Sequence, residues 1–301
     1  MKKAFNLLLV NIFILSAVES FSQVRIMAGF KDATYYRMTK DISAITELKI
    51  DILPSAGSMQ NFKALMKDAC DLAFLQYDVI FFQLGLNADD QAKIDNLKIV
   101  LPLGMEEIHL ITLKSNDFKG IDDLEGKKVA IGSKNQGTYI TASYIKSVTK
   151  IKWKSIALGF NDALEALLVG DVAAFFFVGS APVNKLYDLP ENIQSKLTLI
   201  PLTHPKLQEY YTPVTLKSGT YQWLKEDIAT YGVRYALATN TKAETSAEYD
   251  NIKKLVEDIR TKYDVLVQNG HEQWKEVDFK FDNIKWPIHS ATMEIFNLKR
   301  F

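Results

Sequence analysis

The chain holds one cysteine, Cys70, among 301 residues, so an intrachain disulfide is excluded. With no cysteine near the N-terminus, a lipoprotein is argued against as well. Cys70 stands between a helical pattern and a strand pattern, the setting of a small buried side chain. Histidine is scarce too: His109, His204, His271 and His289 lie far apart without metal-ligand spacing and read as surface or packing residues. There is no Walker loop, no nucleophile elbow and no supportable cysteine–histidine pairing, so neither a cofactor nor a metal is expected. An excess of either charge is also missing, with 36 Lys and Arg against 36 Asp and Glu. Without a basic excess or run, nothing supplies the counterion release that nucleic acid or an anionic membrane rewards. Beyond the N-terminus, no segment is apolar enough to span a bilayer.

The one long apolar stretch, residues 4–18, follows Lys2 and Lys3 and is interrupted only by Asn6, Asn11 and Ser16. It ends in Ser20-Phe21-Ser22 before Gln23, with small residues at the two positions a signal peptidase reads. Residues 1–22 therefore read as an export signal cut after Ser22, which puts the mature chain in the periplasm. A retained signal anchor is the alternative, against which the run is short for a span of about 20 apolar residues and no basic stop-transfer sequence follows. Cleavage removes two lysines and one glutamate, leaving a net charge of about −1. The remaining length exceeds the usual single core, so two lobes are expected.

Short apolar runs alternate with helical patterns along the mature chain. Residues 24–28, 48–53, 72–76, 97–103, 108–113, 128–132, 172–178 and 233–239 read as strands. Met59, Phe62, Leu65 and Met66, and again Ile140, Tyr144, Ile145 and Val148, recur at helical spacing. Such alternation predicts an α/β fold whose lobes hold largely parallel sheets flanked by helices. Residues 173–178, apolar on both faces, suit a buried central strand, with Phe175 and Phe176 in the core. Residues 61–75 and 162–176 share a plan of a two-turn helix, a tight stop, an Asp and a buried strand, as two similar lobes would. One long helix is predicted over 246–267, with Tyr249, Ile252, Leu255, Val256, Ile259, Tyr263 and Leu266 on one stripe.

Two glycine-polar turns open amphipathic helices on either side of the midpoint: Ser55-Ala56-Gly57-Ser58, and Gly132-Ser133-Lys134-Asn135-Gln136-Gly137-Thr138. At a helix start the first N–H groups lack intrahelical partners and the dipole is positive, so an anion is stabilised there without a charged side chain. Facing one cleft from separate lobes, the turns would clamp a ligand from both sides.

In order along the chain stand Ala33-Thr-Tyr-Tyr, Pro54-Ser-Ala-Gly-Ser-Met-Gln-Asn, Ala69-Cys-Asp-Leu-Ala-Phe-Leu-Gln-Tyr-Asp-Val and Asp123-Leu-Glu-Gly-Lys-Lys-Val-Ala-Ile-Gly. Gln136-Gly-Thr-Tyr-Ile-Thr-Ala, Asp171-Val-Ala-Ala-Phe-Phe-Phe-Val-Gly-Ser-Ala-Pro and Pro287-Ile-His-Ser-Ala follow. This order and spacing resembles the TAXI group of solute receptors, the TRAP-associated extracytoplasmic immunogenic proteins, over nearly the whole mature chain. The resemblance implies a two-lobed type II periplasmic-binding fold with the ligand in the interlobe cleft. It further implies capture of a small carboxylate, such as glutamate, a 2-oxo acid or a dicarboxylate, for a sodium-driven membrane permease of TRAP type. The chain departs from the group at Gly29-Phe30-Lys31-Asp32-Ala33, where a glycine-rich stretch is usual, and at Arg37, where a proline follows the tyrosines. Lys134-Asn135-Gln136-Gly137 likewise replaces a smaller, more glycine- and serine-rich turn.

Lobe one is expected from residues 23–112 and 231–301, and lobe two from 113–230. Thr34, Gly57, Ser58, Gly137 and Thr138 offer hydroxyls or open N–H groups to a carboxylate, and Asn135 and Gln136 complete the second grip. Ser58 and Thr138 read equally as N-caps. Tyr35 and Tyr36 are candidates for the cleft wall, with core packing as the alternative. Gln76 ends a strand at the cleft edge, while Phe177 and Gly179 close the buried strand of lobe two. The expected protein is a monomer and not an enzyme, with no nucleic-acid partner. Two other readings stay open: a ligand-sensing subunit for a membrane kinase, and an enzyme with its acid and base at Asp32 and Lys31.

Overall fold

The computed structural model describes residues 23–31, 33–84, 96–240, 247–282, 284 and 286–299; the expected export signal at 1–22 and Asp32 lie outside them. The first units are β1 (Val24–Met27), α1 (Thr34–Ile45), β2 (Ile50–Leu53), α2 (Ser58–Met66), β3 (Leu72–Gln76) and α3 (Tyr77–Leu84). After β4 (Lys98–Leu113) come β5 (Lys128–Ala130), α4 (Gly137–Thr149), β6 (Lys154–Ile156), α5 (Phe160–Leu168) and β7 (Ala174–Gly179). The chain continues through β8 (Leu197–Leu199), β9 (Thr212–Leu216), β10 (Ile228–Thr239), α6 (Ala247–Thr261), α7 (Tyr263–Asn269) and α8 (Ser290–Ile295).

The strands form one curled sheet in the order β2-β1-β3-β10-β4-β7-β5-β6, with β8 on β4 and β9 on β10. Pairing is parallel within β2-β1-β3 and within β7-β5-β6. It is antiparallel wherever β10 or β4 takes part with β3, β9, β7, β8 or each other. The sheet is therefore mixed, with two parallel halves joined by two long antiparallel strands.

Each half has its own core. Tyr35, Phe74 and Tyr235 stack in the first, with Tyr35 4.8 Å from Phe74 and 5.1 Å from Tyr235 between ring centroids. In the second, Trp153 lies 5.7 Å from Phe176 and Phe160 5.7 Å from Phe175. Phe175 and Phe176 are buried as expected of a central strand, and burying each stabilises the fold by about 1.5–3 kcal/mol. Cys70 is buried in the first half.

The repeated unit is present as helix, tight stop and strand in both places: α2 into β3, and α5 into β7. The stops need a left-handed residue, supplied by Asp68 at φ 56° and by Gly170 at φ 83°. The following aspartates diverge. Asp71 accepts the backbone N–H of Arg25 at 2.7 Å and its guanidinium at 2.6 Å, whereas Asp171 is exposed.

Two sequence expectations are corrected. The separate strands at 97–103 and 108–113 are one, because β4 pairs with β10 up to Glu107 and with β7 from Glu107 onward. Changing neighbours carries the strand straight through the polar Glu106-Glu107 step that interrupts the apolar pattern. The single helix at 246–267 is two, α6 and α7, separated at Lys262 with φ −107° and ψ 20°. Lys262 Nζ donates to the Ile45 carbonyl at 2.5 Å and lies 3.2 Å from Asp258, which ties the break to α1.

Candidate ligand-binding site

Where β4 crosses from one half to the other, a cavity of about 460 Å³ opens between the halves. Helices α2 and α4 both begin on it, from opposite sides. Gly57 precedes α2 with φ 135° and ψ −168°, a conformation that only glycine takes without strain. Ser58 and Thr138, the first hydroxyl of each helix, have matching roles. Ser58 Oγ accepts the Gln76 N–H at 2.8 Å and Thr138 Oγ1 accepts the Val178 N–H at 3.1 Å, each tying its helix to the end of a strand. Neither is an N-cap, since Gly57 and Gln136 hold those positions without side-chain capping. With a lone pair engaged by a strand amide, each hydroxyl keeps its hydrogen to donate elsewhere.

The cavity brings together Thr34, Tyr35, Gly57, Ser58 and Gln76 from the first half with Gln136, Gly137, Thr138, Phe177 and Gly179 from the second. Two expected residues stand apart from the lining. Tyr36, on α1, is half-buried against the core of the first half. The Asn135 carbonyl accepts the Gln60 N–H at 3.0 Å and its Oδ1 accepts from Lys63 at 3.4 Å, so this residue bridges the halves. Gln136 turns its side-chain carbonyl back onto the Ser133 N–H at 2.7 Å. Lys31 lines the cavity.

Sequence reasoning missed Glu106. Its carboxylate lies on the cavity floor, buried, with Oε2 accepting from the Tyr35 hydroxyl at 2.8 Å and from Gln76 Nε2 at 2.5 Å. Burial pushes its pKa up to about 7, although these two hydrogen bonds oppose the rise. The available signal was the pair Glu106-Glu107, the one acidic step inside a long apolar stretch. The two side chains diverge as strand neighbours must: Glu107 accepts the Ala181 N–H at 2.8 Å, anchoring the loop after β7. The rim carries positive charge from Lys31, Arg37 and Lys185, with His271 nearby. Lys185 Nζ lies 5.2 Å from the ring centre of Phe30 across the mouth, within cation–π range.

His109 is a packing residue. Its Nδ1 lies 2.9 Å from the Glu107 carbonyl, which only accepts, so Nδ1 carries the hydrogen and Nε2 accepts from the Tyr221 hydroxyl at 2.8 Å. Burial lowers its pKa to about 4. Tyr221 in turn accepts the Val183 N–H at 3.0 Å, which fixes the cavity wall after β7.

The halves meet closely beside the cavity. A Cβ added to Gly137 would fall 1.6 Å from Gln76 Oε1, so only glycine permits this approach. Asp78 on α3 accepts hydroxyls of Thr141 at 2.6 Å and Tyr211 at 3.1 Å, both from the other half. Burial pushes Asp78 up to about 6 despite these two bonds.

Residues 26–293 match the family described as the NMT1-like family. Among solved structures, PhnD1 from Prochlorococcus marinus in complex with methylphosphonate is similar with a TM-score of 0.54 at 11% identity, over 92% of this chain and 99% of that one. An ancestral arginine-binding protein bound to arginine is similar with a TM-score of 0.50 at 16% identity, over 82% of this chain and 97% of that one. The fold is thus the two-lobed α/β architecture of type II periplasmic binding proteins. Among the described residues, no helix is long and apolar enough to cross a membrane.

Proposed function

This chain belongs to the NMT1-like family, and from that premise we propose that it is an extracytoplasmic solute-binding receptor that closes on a small carboxylate. The observation that carries this reading is the pair of helix starts, α2 and α4, opening on one cavity from opposite halves. The positive ends of these helices and the Ser58 and Thr138 hydroxyls suit an anion, although Asn135 already takes the Gln60 N–H of α2, and Lys31, Arg37 and Lys185 add long-range attraction at the rim. The solved structures of similar fold hold methylphosphonate and arginine, both small polar solutes.

The proposed ligand contacts are Thr34, Tyr35, Gly57, Ser58, Gln76, Gln136, Gly137, Thr138, Phe177 and Gly179. We propose lobe one at residues 23–112 and 231–301 and lobe two at 113–230, the chain crossing between them on β4 and β10, which change neighbours near these bounds, at Glu107 and Gly232. Residues 1–22 direct export and are removed. Differential contacts with both lobes favour the closed state, and a sodium-driven permease of TRAP type, inferred from the order of the segments that resemble the TAXI group, reads it.

A ligand selective for the folded state must raise the melting temperature. Organic acids and acidic amino acids are expected to do so in a thermal-shift screen, and saturating ligand to shrink the radius of gyration in X-ray scattering. A transition moved by sugars or cations but by no organic acid would overturn the reading.

A further inference from the structure

The polar groups of the cavity are sorted by sign. The helix starts present donors and the rim is mainly positive, with Lys31, Arg37 and Lys185 against the exposed Asp188, whereas the buried acceptors are Glu106 and Gln76 Oε1. Glu106 Oε2 is held by Tyr35 and Gln76, and Oε1 receives no hydrogen bond from any described residue. The Gln76 amide gives its Nε2 to Glu106, and its Oε1, facing Gly137, is buried without a donor. No ion pair among the described residues includes Glu106. The titratable groups acting on it are Tyr35 and Tyr235, each raised by its charge, and the like-charged Glu107 and Asp78. Lys31, Arg37 and Lys185 line the same cavity, and none of them forms an ion pair with Glu106 among the described residues.

We propose that Glu106 selects a zwitterionic ligand, an amino acid or a compound of the same charge pattern, by taking the ligand's ammonium while the helix starts take its carboxylate. This rests on the solute-binding reading above and narrows it. A buried carboxyl supported only by neutral donors loses its hydration without an opposite charge in return. An ammonium brings that charge and up to three donors for the acceptors of the floor. A dicarboxylate without an amine would instead bring a second carboxylate toward Glu106, and the two could share the site only with a proton between them. The two ligand types therefore exchange protons in opposite directions. An ammonium ionises Glu106 and releases its proton, and a second carboxylate retains or takes one up.

Titration calorimetry on the mature chain with matched pairs, L-glutamate against glutarate and L-alanine against propionate, tests this. The amine-bearing member is expected to bind at least a hundredfold more tightly. Near pH 7, its binding enthalpy in buffers of different ionisation heat is expected to report proton release. This second measurement needs no variant. In Glu106→Gln, after its fold is checked by circular dichroism, the preference is expected to fall to within a few-fold, while Cys70→Ser, buried outside the cavity lining, retains it. Equal affinities within each pair, proton uptake, or a full preference in folded Glu106→Gln would overturn the inference and leave the carboxylate receptor standing. Failure of all four compounds together with every organic acid of the thermal screen would remove the receptor reading and this inference with it.

Discussion

Asp78 Oδ2 on α3 accepts the Thr141 hydroxyl on α4 at 2.6 Å, a hydrogen bond that joins the two halves beside the cavity. Tyr211 shares the same oxygen at 3.1 Å, while Oδ1 is buried without a donor among the described residues. A buried hydrogen bond to a charged group is worth about 1.5–3 kcal/mol, and this one forms only when the halves meet. Thr141→Val is therefore expected to weaken ligand binding about tenfold, or roughly 1.4 kcal/mol, mainly through faster dissociation. Stopped-flow displacement reads this directly. A wild-type dissociation rate in the folded variant would show that the bond adds nothing to closure.

Gly137 and Gly57 differ in what a methyl group would meet. At Gly57 the new Cβ would lie 3.5 Å from Gln136 Cα, an ordinary contact, so the penalty comes from φ 135° and amounts to about 1–3 kcal/mol of local strain. At Gly137 it would collide with Gln76 Oε1 across the cleft. Gly57→Ala is expected to weaken binding about tenfold and Gly137→Ala at least a hundredfold. The Gly137 variant is also expected to keep an extended scattering profile at saturating ligand. Full compaction of Gly137→Ala with ligand would mean that Gln76 swings aside at little cost.

Local pattern made the α/β alternation legible, because strands such as β3 and β7 are apolar on both faces and helices such as α2 recur at three and four. The helix starts were legible for the same reason, as Gly57 and Gly137 each precede an amphipathic run. Long-range pairing was not legible. Nothing near Glu106 in sequence says that β4 changes partners there, so the residues that mark the crossing looked like a gap between two strands. Tyr36 and Asn135 stand outside the cavity lining although their neighbours line it: Tyr35 and Tyr36 are adjacent on α1, but successive helical residues point about 100° apart and only Tyr35 faces the cavity.

Cys70 offers an internal probe of opening. Burial pushes its thiol up to about 12, leaving almost no thiolate at neutral pH, and the side chain is enclosed between β3 and α2 of the first half. Reaction with a thiol reagent is expected only through local or global unfolding, so it should slow further with saturating ligand. Cys70→Ser should leave ligand affinity near wild type. Rapid labelling of the native protein, independent of ligand, would contradict the enclosure.

Glu106 should make stability depend on pH with a definite sign. Its folded pKa of about 7 exceeds the ordinary 4.5, so the folded chain keeps a proton that the unfolded chain has lost over that interval. The stability attached to this group is full below pH 4.5 and is lost as pH rises through 7, in total on the order of 3 kcal/mol. Asp78 shifts the same way. His109, lowered to about 4, acts oppositely, losing its stabilising contribution as pH falls from 6.5 toward 4. His109 is shared by wild type and Glu106→Gln and cancels in the difference, while Asp78, a like charge acting on Glu106, cancels only in its own burial part. Without ligand, the melting temperature of Glu106→Gln minus that of wild type is expected to rise between pH 4.5 and about 7 and to level off above it. A flat difference over that range would mean that Glu106 is as well hydrated in the folded chain as in the unfolded one, and that the cavity floor is open to water.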